Sequence, residues 1–397
     1  MAMLVSLLLF IKVLLLMPLV AETASRPDSI RPGAYQTSLY FPLLEGKRIA
    51  VAGNHTSMIG EVHLVDSLLR AGFSVKQVFS PEHGFRGQAA HGEYVPSATD
   101  EATGLPVVSL YGSNRKPLPE QLQGVDVIVF DIQDVGVRFY TYLSTMTYIM
   151  EAAAREGIPV VVLDRPNPLG HYVDGPVLEP EHSSFVGLHQ VPVVHGLTPG
   201  EYALMVNGES WLPEGLQCEL TVIPVSNYTR NKRYHLPVPP SPNLPNMHAV
   251  YLYPSLCLLE GTVISLGRGT PKPFQIYGHS SFSPEVFPYG FKPESLPAAP
   301  RPPQMGKYCQ GIDLSILPIA ELEYKNQLDL SYLLHAYTHY QDKEPFFNAF
   351  FTRLAGTRKL QQQIADGLSE ADIRESWQPG LEAFLQLREK YLIYTDE

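Results

Sequence analysis

An acid, an imidazole and a guanidinium stand together where one apolar run of the sequence stops. The run 75–79 ends at Ser80-Pro81, and Glu82, His83 and Arg86 follow. Proline and glycine on both sides fix a sharp, irregular backbone. The pattern is typical either of a strand end with solvated polar residues or of a site. In a site, Glu82 would suit a general acid, because partial burial raises the pKa of a carboxyl group.

Glycoside hydrolysis is a reaction that such a carboxyl group could serve. It needs an acid that protonates the leaving oxygen and a second group that stabilises the oxocarbenium-like centre. We predict Glu82 as the acid, with Asp134 and Asp131 as candidates for the second group. Asp131 could equally be a carboxylate satisfied by loop N–H groups. Asp164 is predicted to bind backbone amides of its own turn.

Further polar side chains at strand and loop ends could bind a substrate. Arginines can hold a carboxylate bidentately, although each could instead lock a loop through an ion pair. Tyrosines beside a helix start can stack on a sugar face or pack in the core. The predicted substrate-binding residues are Asn54, His55, His83, Arg86, Arg138, Tyr140, Asn167, His195, Asn243 and Arg268.

Nucleotide, serine-hydrolase and zinc chemistry are all disfavoured by the motifs. The segment 54–60 after the first apolar run lacks the G-x-G-x-x-G pattern, and no G-x-S-x-G, H-E-x-x-H or C-x-x-C sequence occurs. We therefore predict no cofactor. A metal-dependent hydrolase remains an alternative, in which Asp131 or Asp164 joins histidines whose spacing is not diagnostic. These histidines are His55, His83, His91 and His195.

Composition is that of an ordinary globular protein with a large core. The 397 residues are 45% hydrophobic and carry a formal net charge of -11. Because no run of Lys and Arg could track phosphates, nucleic acid is excluded as an expected partner. The three cysteines, Cys218, Cys257 and Cys309, are interpreted as buried small apolar residues.

Short apolar runs alternate with helical patterns through the first half of the chain. This alternation predicts a parallel sheet covered on both faces, in a doubly wound α/β domain. One helix is predicted from a capping box of Thr198 and Glu201. Nearly every apolar run ends in polar, titratable residues, and ligands of such sheets bind beyond the carboxyl ends of the strands. The apolar runs are 48–53, 75–79, 107–111, 125–130, 160–163 and 191–194.

The two ends of the chain differ from this pattern. Residues 209–397, with prolines dense between Leu236 and Pro245, predict a second, α+β domain after the first domain, 26–208. Met3–Val20 is almost wholly apolar and precedes small and polar residues. Residues 1–25 are therefore predicted to be a signal peptide for export to the periplasm or beyond, or else an N-terminal anchor. If the leader is cleaved, no stable membrane insertion is expected.

Seven segments resemble, in order, one family of bacterial peptidoglycan hydrolases, the exo-acting β-N-acetylmuramidases, long filed as a domain of unknown function. The resemblance extends from about Leu43 to the C-terminus. It departs from the family at Pro271, where relatives often carry Asp. The segments are Ser80-Pro-Glu-His-Gly-Phe-Arg-Gly87, Phe130-Asp-Ile-Gln-Asp-Val-Gly-Val-Arg-Phe-Tyr-Thr-Tyr142, Leu163-Asp-Arg-Pro-Asn-Pro168, Asp174-Gly-Pro176, Pro192-Val-Val-His-Gly196, Ser241-Pro-Asn-Leu-Pro-Asn246 and Gly267-Arg-Gly-Thr270.

This resemblance implies release of N-acetylmuramic acid (MurNAc) from the non-reducing end of peptidoglycan fragments in cell-wall turnover. It implies a Rossmann-like domain, a smaller C-terminal domain and a site in the cleft between them, with Glu82 as the candidate catalytic residue. The lactyl carboxylate of MurNAc is a group that Arg86, Arg138 or Arg268 could bind. The 2-acetamido group could itself act as nucleophile, oriented by Asp131 or Asp134. The alternative to an enzyme is a non-catalytic muropeptide-binding or sugar-binding protein on the same scaffold.

Overall fold

The computed structural model describes residues 29–86 and 97–396. The predicted leader 1–25 and His91 lie outside these residues. In chain order, the described strands are β1 Arg48–Gly53, β2 Met58–Ile59, β3 Val62–His63, β4 Ser74–Ser80, β5 Ala98–Thr99, β6 Pro106–Ser109, β7 Val127–Asp131, β8 Val160–Leu163, β9 Leu220–Ile223, β10 Ile276–His279, β11 Tyr289–Phe291 and β12 Cys309–Asp313.

Helices cover these strands and recur through the second half of the chain. The part of the chain described contains α1 Thr37–Leu44, α2 Leu64–Arg70, α3 Pro119–Leu122, α4 Tyr142–Glu156, α5 Pro199–Gly208, α6 Met247–Leu256, α7 Ile319–Glu323, α8 Ser331–His339, α9 Phe351–Ala355, α10 Lys359–Ala365, α11 Glu370–Glu375 and α12 Gln378–Glu389. The predicted capping box is confirmed at α5, where Thr198 accepts a hydrogen bond from the amide of Glu201.

The main sheet has seven strands in the order β5-β6-β4-β1-β7-β8-β9. All neighbours pair in parallel except β5, which pairs with β6 in the antiparallel sense. Central strands such as β7 and β8 are buried at every residue, because helices cover both faces. Alternate residues of β1 join two separate cores, Ile49 with α2 on one face and Ala50 with α4 on the other. The predicted doubly wound fold is therefore confirmed.

The last strand of this sheet lies beyond the boundary that the sequence predicts. β9 pairs with β8 although it follows residue 208, the predicted end of the first domain. The apolar run 191–194 forms isolated bridges from Val194 to Val137 and Asp174 instead of a strand of the sheet. The expectation of a sixth strand there was wrong, because an apolar run buried in the core need not pair along its length.

The second half of the chain forms a smaller unit that packs on the first. Its antiparallel sheet has the order β10-β12-β11, and the last helices, α8 to α12, follow it. The chain then returns to the Rossmann-like domain. The hydroxyl of Tyr394 donates to Asp164 at 2.5 Å, and the amide of Ile393 donates to Glu201 at 2.9 Å.

No helix among the described residues is long and apolar enough to span a bilayer. Cys218, Cys257 and Cys309 are buried and unbridged, as expected of small apolar core residues. Burial raises the pKa of Cys218 to about 12, which keeps that thiol protonated.

Candidate active site

Glu82 lies in a tight turn directly after β4. The amide of Gly84 donates to the carbonyl of Pro81 at 3.1 Å, which closes the turn. His83 holds a φ of +72°, a conformation that non-glycine residues adopt rarely and that recurs at functional sites. The side chain of Glu82 is 6% exposed, and Thr141 Oγ1 donates to its Oε2 at 3.3 Å. The turn thus holds the Glu82 carboxyl group within the protein, largely shielded from solvent.

Glu82 lines a cleft between the Rossmann-like domain and the second unit. The cleft and the open solvent at its mouth together hold about 550 Å³ that protein atoms do not occupy. Residues from both halves of the chain contribute to its wall. They are Glu82, His83, Phe139, Tyr140, Thr141, Tyr142, Val186, Ser241, Asn243, Leu244, Tyr253, Cys257, Glu260, Arg268, Phe274, Phe350 and Leu354.

Tyrosines form a continuous aromatic wall along this cleft. The rings of Tyr142 and Tyr140 lie 4.8 Å apart, and those of Tyr140 and Tyr253 lie 6.0 Å apart. Phe274 continues the wall at 5.0 Å from Tyr253. Tyr140 donates its hydroxyl proton to the carbonyl of Pro240 at 2.8 Å, which fixes the ring. Because aromatic faces pack well against the apolar faces of sugars, this wall suits a saccharide.

A partly buried ion pair lies at the Phe274 end of the aromatic wall. Arg268 Nε and Nη2 both donate to Glu260 Oε1, at 2.7 and 2.6 Å. The Arg268 guanidinium also stacks over the ring of Phe274 at 5.0 Å. Burial lowers the pKa of Arg268, but the Glu260 charge more than offsets this and leaves the pKa raised. The cleft therefore has one carboxyl group from each domain, Glu82 and Glu260, and a permanent cation.

Two predicted carboxylates lie beneath the sheet edge instead of in the cleft wall. Asp131 is fully buried and pairs with Arg165, whose Nε and Nη2 donate at 2.5 and 2.9 Å. Asp134 Oδ2 accepts from the amide of Gly136 at 2.6 Å, while Oδ1 has no hydrogen-bond partner among the described residues. Burial raises the pKa of Asp134 to about 7.

Asp164 joins distant parts of the chain. Its oxygens accept hydrogen bonds from the amides of Arg165 and Gly200 and from the hydroxyls of Thr198 and Tyr394, at 2.5–2.9 Å. The amide of its own turn is thus one of four donors. Burial raises the pKa of Asp164 to about 7.

Two of the predicted arginines are engaged outside the cleft. Arg138 is buried and donates to four backbone carbonyls at 2.7–2.9 Å, those of Pro176, Val191, Leu354 and Ala355. Arg86 pairs bidentately with Asp100 at 2.9 and 2.7 Å. Arg268 is the arginine that lines the cleft within the described residues.

Two family models match the chain, "Exo-beta-N-acetylmuramidase NamZ, N-terminal" over residues 49–248 and "Exo-beta-N-acetylmuramidase NamZ, C-terminal" over residues 251–394. The chain belongs to the exo-beta-N-acetylmuramidase NamZ family. Glu82 and Tyr140 fall within the N-terminal match, whereas Glu260 and Arg268 fall within the C-terminal match. Both matched regions thus contribute to the cleft.

Similar proteins span almost the whole chain. Peptidoglycan beta-N-acetylmuramidase NamZ of Bacillus subtilis (strain 168) is 39% identical over 398 residues, covering 94% of this chain and 93% of that protein. Crystal structures of two DUF1343 family proteins from Bacteroides fragilis NCTC 9343 match with TM-scores of 0.86 and 0.79, at 47% and 30% identity. Each match covers 93% of this chain and 100% of the other.

Five of the predicted site residues line the cleft of this NamZ family member. They are Glu82, His83, Tyr140, Asn243 and Arg268. The others lie beneath or beside it. Asn54 binds Thr56, and the amide of Asn167 binds the carbonyl of Leu197.

The predicted histidines within the described residues, His55, His83 and His195, form no group with metal-ligand spacing. His55 Nε2 lies 2.9 Å from the carbonyl oxygen of Pro239, and burial lowers the pKa of His55. His195 is fully buried, and burial lowers its pKa to about 3. Within the described ranges, the group with metal-ligand spacing is Glu179, Glu181 and His182, which includes none of the predicted ligands.

Glu260 is the cleft residue that the sequence signals and our motif analysis missed. It is the one charged residue between Ala249 and Gly267, in an otherwise apolar segment. A lone acid in such a run is costly to bury unless it is paired or faces a cavity. That cost is the signal that could have identified it. Arg268, which forms an ion pair with Glu260, was among the predicted residues and lies in the Gly-Arg-Gly-Thr segment.

Proposed function

We propose that this NamZ family glycosidase releases MurNAc from the non-reducing end of peptidoglycan fragments, with Glu82 as general acid and base. The observation that carries the proposal is the placement of a nearly buried carboxyl group, Glu82, in a cleft lined by tyrosines and one arginine. The name of the Bacillus subtilis relative, peptidoglycan beta-N-acetylmuramidase, supports the substrate.

The chemistry assigned to Glu82 follows from its surroundings. Thr141 Oγ1 and the turn orient the carboxyl group toward a space that is largely closed to solvent. A protonated carboxyl group there can donate to the glycosidic oxygen as the bond to the sugar breaks. The resulting carboxylate can then take a proton from the water that attacks the sugar.

The cation in the cleft supports an acidic sugar as substrate. Arg268 uses Nε and Nη2 for Glu260, and Nη1 has no hydrogen-bond partner among the residues that the structure describes. MurNAc differs from N-acetylglucosamine (GlcNAc) by a lactyl group that ends in a carboxylate. We assign the free edge of Arg268 to that carboxylate, since guanidinium and carboxylate groups match in geometry.

Hydrolysis of the disaccharide MurNAc–GlcNAc by the purified protein tests the proposal. We expect release of free MurNAc and no cleavage of GlcNAc–MurNAc, whose non-reducing end is wrong for an exo-acting muramidase. Glu82→Gln should lower kcat on MurNAc–GlcNAc by about 10²–10⁴-fold. With 4-nitrophenyl β-MurNAc the loss should be smaller, because that leaving group needs little protonation.

Each remaining alternative has its own outcome in this assay. Near-wild-type turnover by Glu82→Gln would refute the acid assignment, and loss of wild-type activity with a chelator would favour the metal-dependent hydrolase. Tight MurNAc binding without turnover would favour a binding protein. Glu209→Gln is the matched control, because Glu209 forms an ion pair with Lys390 outside the cleft.

We further propose that the protein is exported and acts in cell-wall turnover. The apolar segment Met3–Val20 and the small residues after it support a cleavable leader. Expression in a bacterial host should yield a mature chain in the periplasm or medium. N-terminal sequencing would then place the cleavage near residue 25, whereas a chain that stays membrane-bound with its first residues intact would indicate an anchor.

A further inference from the structure

We infer that Glu260 is the second carboxylate of the reaction, facing the positive charge that develops on the sugar while Glu82 protonates the leaving oxygen. The inference rests on the proposed function and deepens it. It replaces the two aspartates that the sequence suggested for this role.

The first argument is access to the cleft. Within the described residues, the carboxyl groups that line it are those of Glu82 and Glu260. Asp131 is fully buried against Arg165, and Asp134 lies beneath the cleft wall. A substrate seated on the aromatic wall would therefore meet Glu260 and neither aspartate.

The second argument is the hydrogen-bonding capacity of the Glu260 carboxyl group. Both arginine donors bind one oxygen, Oε1. Among the residues that the structure describes, Oε2 receives only the thiol of Cys257 at 3.6 Å, and a thiol is a weak donor. One oxygen of the carboxyl group thus keeps most of its capacity to face a developing cation.

The third argument distinguishes this pair from a purely structural lock. The side chains of Asp131 and Arg165 are 0% and 4% exposed, so that pair is sealed. The side chains of Glu260 and Arg268 are 18% and 11% exposed, and both line the cleft. An ion pair that serves only to hold the fold gains nothing from lining a cleft.

The assigned roles balance as a hydrolysis. The bond between the anomeric carbon and the glycosidic oxygen breaks, and the Glu82 proton moves to that oxygen. A water molecule then adds its oxygen to the anomeric carbon, and its proton restores the Glu82 carboxyl group. Glu260 forms and breaks no bond, and its charge stabilises the oxocarbenium-like centre throughout.

The test compares Glu260→Gln with Glu82→Gln on two leaving groups. Glu260→Gln should lower kcat by about 10²–10³-fold on both MurNAc–GlcNAc and 4-nitrophenyl β-MurNAc, because charge develops on the sugar in either case. KM should change little, since the interaction forms in the transition state. The Glu82→Gln loss should instead shrink with the activated leaving group.

Several outcomes would overturn the inference. The inference is wrong if Glu260→Gln retains kcat within about threefold of wild type on both substrates, or if it loses activity on the disaccharide alone. Should Glu260→Gln fail to fold, Glu260→Asp decides by the same leaving-group comparison, because it keeps the charge and withdraws it from the sugar. Glu209→Gln controls for loss of an ion pair. If wild type itself hydrolyses neither substrate, the proposed function fails before any variant is compared.

Discussion

The acidic residues at the carboxyl edge of the sheet divide into two groups with opposite surroundings. Glu82 follows β4 and opens into the cleft, where the second domain supplies Glu260. Asp131 ends β7, Asp134 and Asp164 follow β7 and β8, and all three are almost completely buried. The difference teaches that the edge of a parallel sheet fixes where polar groups gather, whereas the covering segments decide whether a substrate reaches them.

Among the variants that test this comparison, the largest effect is expected when the buried ion pair of Asp131 and Arg165 is broken. Arg165→Met should lower the free energy of unfolding by about 3–5 kcal/mol, because it leaves the buried Asp131 carboxyl group without its partner. Urea denaturation measures the change. The double variant Asp131→Asn/Arg165→Met should recover part of it, as expected of two coupled residues. A loss below about 1 kcal/mol would show that the Asp131–Arg165 ion pair contributes no more to stability than an exposed pair does.

The next largest effect is the pH dependence of stability that Asp134 causes. Burial raises the pKa of Asp134 to about 7, above its value of about 3.9 in an unfolded chain. Between these values the folded protein binds a proton that the unfolded chain has lost, so stability falls as pH rises from about 4 to about 7. Asp134→Asn should remove this loss, which amounts to about 4 kcal/mol by pH 8.

Urea denaturation of wild type and Asp134→Asn at acidic and alkaline pH measures this effect. The advantage of the variant should grow with pH across the window. Parallel stability curves for the two proteins would show that Asp134 does not titrate with a raised pKa. Burial also raises the pKa of Asp164, so both aspartates contribute to the pH dependence of wild-type stability.

A smaller effect is expected at the support of Glu82. Thr141→Val removes the hydroxyl that donates to Glu82 Oε2 at 3.3 Å while keeping the shape of the side chain. Loss of one such hydrogen bond costs about 1 kcal/mol, so kcat on MurNAc–GlcNAc should fall by about fivefold. An unchanged kcat would show that the turn alone orients Glu82.

The smallest effect is expected at Arg86. It pairs with Asp100 and its side chain is 38% exposed, so Arg86→Gln should lower the free energy of unfolding by less than about 1 kcal/mol. Turnover should fall by less than about tenfold if Arg86 only holds the loop beside Glu82. A much larger rise in KM for MurNAc–GlcNAc would instead place Arg86 on the substrate.

Much of this architecture could be predicted because it is encoded locally. Short apolar runs identified β1, β4, β7 and β8, and the carboxyl-end rule placed Glu82 at a site. The same runs misplaced the last strand, since 191–194 and β9 are both apolar and differ only in what packs on them.

The rest depends on contacts between residues far apart in the sequence. His55 and Tyr140 are held by the carbonyls of Pro239 and Pro240, and Arg138 by the carbonyls of Leu354 and Ala355. Such contacts exist only once the second domain has packed on the sheet. Glu260 belongs to the cleft for the same reason, and its role requires knowledge of that packing.

The return of residues 393 and 394 to the first domain has a consequence for folding. Tyr394 supplies one of the four donors to Asp164, and Ile393 donates to Glu201. The main sheet and helix α5 are both encoded before residue 224, far ahead of these donors in the sequence. The two buried acids of the first domain are therefore fully paired only when residues 393 and 394 are in place, and a truncation that removes these residues would leave Asp164 and Glu201 short of donors.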